Sequence, residues 1–323
     1  MAAKPTGTVD RYDINKAVRE ELSDIIYNIA PEDTPLMSNI GRGSVGNTYF
    51  EWQTDGLAAA NGDNAQIDGG DAANDTRAPT NRLGNYTQIM SKTIQTSGTA
   101  EAVNKAGYKS VMAYEKAKAS SEIKRDMEVR LAGGKAAVGG STGTARQTAG
   151  FAAFLTTNVD KAATGTAPTL SATTDGYPNA AYINGTARAF TETILKNVIQ
   201  QVWASGGTVG LAMVGAKQKG VASGFAGLGQ NRFNQSKAEQ TTIIGAADVY
   251  VSDFGNVTFV PNRFMPADAA YLVDPEYASV QYLRDFRTKP LAENGDSKRE
   301  MLLVEFGLKV HTEKAHGIAR DLT

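Results

Sequence analysis

Residues 54–76 carry five acids, Asp55, Asp63, Asp68, Asp71 and Asp75, among Gly, Ala and Asn, with no Lys or Arg. So little apolar surface cannot order a segment by burial, and connections beyond about 12–15 residues without structure of their own are uncommon in compact domains. Strand-like alternations flank it, TYFEWQ at residues 48–53 and a second run at residues 85–96. The pattern predicts a long hairpin that projects from the body of the chain and gains its order by lying on another molecule. Five carboxylates also invite a calcium reading, but Asp63, Asp68 and Asp71 lack the alternate-residue spacing and closing Glu of an EF-hand loop. No metal or other cofactor is expected. Tyr49, Phe50 and Trp52 could stack sugars or bases, yet on a strand beside a projecting loop they read as packing or subunit-contact residues.

With 323 residues, 41% of them hydrophobic, the chain is long enough for about two lobes of roughly 150 residues each. Thirty-three Lys and Arg against 34 Asp and Glu leave a formal charge of -1, so no net field drives the molecule onto phosphate polyanions, which argues against a sequence-reading nucleic-acid binder. The absence of Cys removes disulfides, thiolate metal sites and thiol nucleophiles. Residues 1–13 hold no signal-peptide core, and weakly polar runs such as residues 206–216 fall short of the ~20 apolar residues that span a bilayer. A soluble, cytoplasmic chain without membrane contact is expected.

Ile14, Val18, Leu22, Ile25, Ile26 and Ile29 recur at spacings of three and four, predicting a helix over residues 13–29 whose stripe packs on its own chain or on a neighbour. Residues 108–132 contain no Pro or Gly and predict a long helix, with Ile123, Met127 and Leu131 as its buried stripe. Lys118 with Glu122, Lys124 with Glu128, and Asp126 with Arg130 are spaced for surface ion pairs. Gly-, Ala- and Thr-rich turns then run to residue 187, interrupted by the apolar residues 150–155, and mark a lobe boundary. A helix over residues 191–204, a buried strand at 209–214 and a short helix at 216–225 follow. Strands are predicted at Ile243 and Ile244, 248–252, 256–260, 270–273 and 301–311, the last with alternating residues that bury one face. The fold class is α+β.

Catalytic chemistry finds little footing. GRGSVG at residues 41–46 formally matches a dinucleotide fingerprint, but a helix precedes the glycines and a strand follows, the reverse of the order that aims a helix N-terminus at a pyrophosphate. GGKAAVGGSTG at residues 133–143 closes a helix where a phosphate loop would open one. Only His311 and His316 could supply an imidazole base, in a polar C-terminal stretch, and no Ser sits in a G-x-S-x-G elbow. The chain is read as no enzyme.

The order of these parts resembles the major capsid proteins of tailed phages that share the Hong Kong 97 phage fold, in particular the SU-ten type. The resemblance spans nearly the whole chain through ELSDIIYNIAPEDTPLM (residues 21–37), SGTAEAVNKAGYKSVMAYEKAKASSEIKRDMEVRL (97–131), ARQTAGFAAFLTTN (145–158), DVYVSDFGNVTFVPNRFMPADAAYLVD (248–274) and LRDFRTKPLAENGDS (283–297). It implies an N-arm over residues 1–47, an extended loop over 48–98, and a spine helix of the peripheral lobe over 99–135. An axial lobe over 136–240 follows, then peripheral-lobe strands and a C-terminal segment over 241–323. The implied role is self-assembly, as hexamers and pentamers, into an icosahedral head around double-stranded DNA held without sequence specificity. Portal, scaffold and decoration proteins are implied partners, with assembly in the host cytoplasm and residence in the virion. Subunit-contact candidates are Ile14, Val18 and Leu22 on the arm helix, Tyr49, Phe50 and Trp52 on the loop strand, and Asp63, Asp68 and Asp71 at the loop tip.

Two departures from the founding member of the fold carry expectations. Its shell is welded by Lys-to-Asn isopeptide bonds from the extended loop, whereas residues 54–91 here contain no Lys, so no such weld is expected. Its long N-terminal assembly domain has no counterpart before the arm helix, so a separate scaffold, or none, is expected. Two other readings compete: a cellular compartment shell of the encapsulin kind, and a Gly-rich nucleotide-binding enzyme.

Overall fold

The computed structural model describes residues 33–69, 71, 77, 79–104, 107–171, 176–225 and 249–323. The helix expected over residues 13–29, with Ile14, Val18 and Leu22, and the strand expected at Ile243 and Ile244 lie outside the described residues.

Ser110 opens the longest helix by accepting the Ala113 N–H on its hydroxyl, an N-cap that satisfies one of the free donors of the first turn. This helix, α3 (Val111–Ala132), runs for 22 residues, about 33 Å, and stops at Gly133. Ile123, Met127 and Leu131 are fully buried, as their i,i+4 spacing requires. The charges fall otherwise than expected. Asp126 and Glu122 both reach Lys92, at 3.0 and 3.7 Å, tying α3 to a strand beneath it. Glu128 and Arg130 turn inward and are buried, each committed to backbone groups of distant segments instead of to a helix neighbour.

Two sheets carry the fold. The first has strand order β1-β12-β13-β4, where β1 is Gly41–Ser44, β4 Gln88–Ser97, β12 Ala278–Pro290 and β13 Ser297–Val310. The helix α3 packs on its β4 and β13 side. The second has order β5-β14-β11-β8-β10-β9, from β5 (Val159–Asp160), β8 (Leu211–Val214), β9 (Val249–Ser252), β10 (Gly255–Pro261), β11 (Ala269–Val273) and β14 (Gly317–Arg320). One face of this sheet, through Leu211, Met213, Tyr271 and Val273, joins the large core shared with α3 and residues 151–155. The other face, through Ala212, Val214, Ala270 and Leu272, packs on α4 (Glu192–Ala204). Covered on both sides, β8 reads as the continuous apolar run LAMV. A short helix, α5 (Ala216–Ala222), follows it.

Four expectations need correction. The strand at residues 85–96 is two: β3 (Asn81–Tyr86) pairs with β2 (Tyr49–Thr54), and after Thr87 the chain passes into β4 of the first sheet. The break sits where fully buried Asn85 bonds Thr148, Ala149 and the Leu308 carbonyl, and where Thr87 bonds Glu305, so polar demands of distant segments interrupt one ladder. The strand β13 buries Leu302 to Leu308 on both faces instead of one. The C-terminal stretch is not polar surface: His316 is fully buried and β14 is an inner strand of the second sheet. Finally, the second sheet unites β5 and β8 with β9, β10, β11 and β14, so a division of the chain at residue 241 does not follow a sheet boundary.

The glycines of residues 41–46 lie on and after β1, which pairs in parallel with β12 and leads into β2, so a strand and not a helix follows them. No helix among the described residues is long and apolar enough to cross a membrane.

Candidate functional site

The hairpin β2–β3 pairs antiparallel from Tyr49 with Tyr86 to Thr54 with Asn81. Alternation along β2 turns Phe50 and Trp52 to one side and Glu51 and Gln53 to the other. The sequence identified the shared face but not what covers it. Phe50 and Trp52 are buried in the chain's own core, stacked on each other at 5.9 Å, with Trp52 6.0 Å from Phe154. Gly307 of β13 makes room for them, since a Cβ there would sit 2.6 Å from the Phe50 ring. Tyr49 is half-buried in a cluster with Tyr86, at 4.7 Å, and Tyr177, at 6.4 Å. These aromatics therefore root the hairpin in its own protomer.

Beyond Thr54 the character reverses. Residues 55–69 and 71 are all exposed, including Asp63, Asp68 and Asp71. Leu57 and Ile67 stand 101% and 85% exposed, with no apolar neighbour to shield them. The acids are not gathered: no group of three or more His, Asp or Glu side chains among the described residues could hold a metal ion. At its root the segment borders a groove of about 560 Å³ lined by Asp55, Leu57, Arg82, Thr312, Glu313 and Lys314.

Behind the hairpin lie buried polar centres that sequence spacing did not signal. Glu305 on β13 takes Arg284 Nε and Arg146 Nη2, each at 2.6 Å, and the Thr87 hydroxyl at 3.0 Å. Glu128 on α3 accepts the Leu36 N–H at 2.7 Å and the Met37 N–H at 3.0 Å, from the first turn of α1 (Pro35–Asn39). The Asn262 amide donates a third bond at 2.7 Å. With no cation beside it among the described residues, burial pushes the Glu128 carboxyl above its ordinary value against the pull of these donors. The Tyr271 hydroxyl donates to the Ala132 carbonyl at 2.7 Å, and burial raises it well above the usual phenol.

The histidines serve packing and turn geometry. His316 Nδ1 accepts the Asp274 N–H at 3.2 Å, its ring meets Phe151 edge-on at 5.0 Å, and burial lowers it to about 4. That acceptance fixes the neutral tautomer with Nε2–H directed at the Tyr277 carbonyl. His311 Nε2 lies 3.1 Å from Ser279 Oγ, which also accepts the Gln281 amide inside the sheet; burial chiefly, and Lys309 next, lower its pKa.

The family model described as SU10 major capsid protein matches residues 4–323. The chain belongs to that family. A curated relative, the major capsid protein of Escherichia phage Phieco32, is 28% identical over 98% of this chain and 97% of its own length. Among solved structures, a chain of the cyanophage A-1(L) capsid asymmetric unit superposes with a TM-score of 0.67 at 13% identity, covering 98% of this chain and all of that one. One from Mycobacterium phage Adephagia gives 0.58 at 10% identity, over 98% and 99%. At these identities the structural likeness carries the fold, which is of the Hong Kong 97 type, and the family match carries the role. This is a tailed-phage major capsid protein, as the resemblance in sequence implied.

Proposed function

We propose that copies of this capsid protein join as hexamers and pentamers into an icosahedral head around double-stranded DNA, and that residues 55–71 complete their structure only on an adjacent copy. The observation that carries the second half is the contrast along one hairpin. Its root is locked by Phe50 and Trp52, while its outer part exposes Leu57 and Ile67 among acids. Apolar side chains left wholly in water on a long coreless segment mark an interaction site. In this reading residues 48–98 are the extended loop and α3 is the spine helix. The first sheet belongs to the peripheral lobe and the second, with α4, to the axial lobe. DNA is held without sequence specificity, in keeping with the formal charge of -1. Because residues 54–91 contain no Lys, the shell closes without isopeptide welds from this loop. Portal, scaffold and decoration proteins are the expected further partners, met in the host cytoplasm before the particle matures.

Expression of the chain alone, followed by size-exclusion and negative-stain imaging, tests the reading. Shells are expected from the intact chain. Deletion of residues 56–75 should leave a folded protomer that closes no shells. Normal shells from that deletion would overturn the loop assignment.

A further inference from the structure

An Asn followed by Gly can react with its own backbone, because the next residue has no Cβ to shield its nitrogen from the side-chain amide. The chain has three such pairs, Asn61-Gly62, Asn184-Gly185 and Asn294-Gly295. The fold gives each a different setting.

Asn184-Gly185 is tied at both reacting groups. The Asn184 amide donates to Asp268 Oδ2, and the Gly185 N–H donates to Asp321 Oδ1 at 2.8 Å. A Cβ on Gly185 would collide with the Gly165 backbone, so this peptide is also packed tightly. Neither group can turn toward the other until these contacts open. Asn294-Gly295 sits in the connection from β12 to β13, where Ser297 closes a turn on it. The Asn294 carbonyl accepts the Ser297 hydroxyl at 3.0 Å, and the Gly295 carbonyl accepts the Ser297 N–H at 3.0 Å.

Asn61-Gly62 has no such restraint. Both residues are exposed, the Gly62 N–H has no partner among the described residues, and a Cβ on Gly62 would meet nothing within 4 Å. The bond that Asn61 makes favours reaction: its Oδ1 accepts the Asp63 N–H at 3.0 Å, an Asx turn that curls the side-chain amide back over the Gly62 peptide.

We propose that Asn61-Gly62 is a site of spontaneous deamidation, open in the free protomer and closed in the shell. The Gly62 nitrogen gives up its proton to water and bonds to Asn61 Cγ. The Cγ–Nδ2 bond breaks, Nδ2 takes a proton back and leaves as ammonia, and a cyclic imide remains. One water then opens the ring. Cleavage at Cγ gives Asp, and cleavage at the main-chain carbonyl gives isoaspartate, in which the backbone runs through the side chain. Water enters, ammonia leaves, and nothing is oxidised or reduced. Either product adds a negative charge to a stretch, residues 54–76, that already holds five acids and no Lys or Arg. The closing of the site rests on the reading of residues 55–71 as lying on an adjacent copy: held there, the Asn61 backbone cannot reach the reactive geometry. The deamidated fraction then records how long a protomer waited before joining a shell.

Peptide mass spectrometry on protomers and closed shells aged at neutral pH, with the Asp and isoaspartate forms separated, is the test. In folded protomers Asn61 should convert at least about tenfold faster than Asn184, and faster than Asn294. In urea the three should converge to within about threefold, because only the dipeptide is left to set the rate. Gly62→Ala, whose methyl has room, should slow conversion of Asn61 at least about tenfold. Shells should retain Asn61 at least about tenfold longer than protomers do. Asn184 or Asn294 keeping pace with Asn61 in the folded chain, or an ordering that urea leaves unchanged, would overturn the inference. The deletion of residues 56–75 separates it from the loop reading. If Asn61 converts as fast in shells as in protomers while the deletion blocks closure, the inference falls and the loop reading stands; if the deletion assembles too, both fall.

Discussion

Helix α3 and the connection between β2 and β3 are of similar length, and they obtain their structure in opposite ways. α3 carries Ile123, Met127 and Leu131 at full burial and is capped by its own Ser110. The connection carries Leu57 and Ile67 almost wholly in water, and none of its described residues is buried. One element is specified within the protomer. The other is not specified within the protomer, and on the proposed reading a second copy supplies the missing surface; the aromatic root at Phe50 and Trp52 marks the border between them. On that reading a shell protein gains from the division: the protomer folds before it assembles, and only the assembled state rewards the projecting segment.

If α3 is the self-sufficient element, Met127→Ala should lower protomer stability by about 2–5 kcal/mol, the cost of an unfilled cavity at a fully buried site, read by denaturant unfolding. Glu128 sharpens the same point. Its loss in Glu128→Ala leaves the Leu36 and Met37 N–H groups and the Asn262 amide without their acceptor, which should cost about 3 kcal/mol and free the chain entering α1. The pH dependence has a definite sign. A carboxyl whose folded pKa is raised above the ordinary 4.5 binds its proton more tightly in the folded state, so its stabilising contribution is full below that value and fades as pH climbs through the raised one. Unfolding free energy of the intact chain relative to Glu128→Gln should therefore decline as pH rises above the ordinary 4.5, and a rise would contradict the buried setting. The smallest effect on the protomer belongs to the connection: Leu57→Ser with Ile67→Ser should change its stability by no more than about 0.5 kcal/mol while lowering shell yield.

Much of the interior was legible because apolar periodicity reports burial directly. Ile194, Leu195, Val198, Ile199 and Val202 give α4, and all five are buried. The run at β8 and the stripe of α3 are read in the same way. What escaped was polar. Glu128 and Arg130 have the spacing of surface ion pairs, and only chain folding brings α1, 91 residues away from Glu128 at Met37, to turn that carboxylate inward. Strand β12 hides behind Arg284, Asp285, Arg287 and Lys289, side chains that its partner β13 and open solvent accommodate but no strand pattern announces. Within the site, the strand-like alternation of residues 48–53 places Phe50 and Trp52 on one face, and Asp63, Asp68 and Asp71 lack the ligand spacing of an EF-hand loop. Neither says which molecule covers a face, since that depends on packing across the fold and beyond it.

Hydrogen–deuterium exchange on dilute protomers and on closed shells tests the central claim most directly, because it reports backbone protection in both states of one chain. The account predicts that amides of residues 55–69 exchange freely in the protomer while those of α3 are protected, and that assembly slows the former strongly and the latter little. Protection of residues 55–69 in the isolated protomer equal to that in the shell would contradict it.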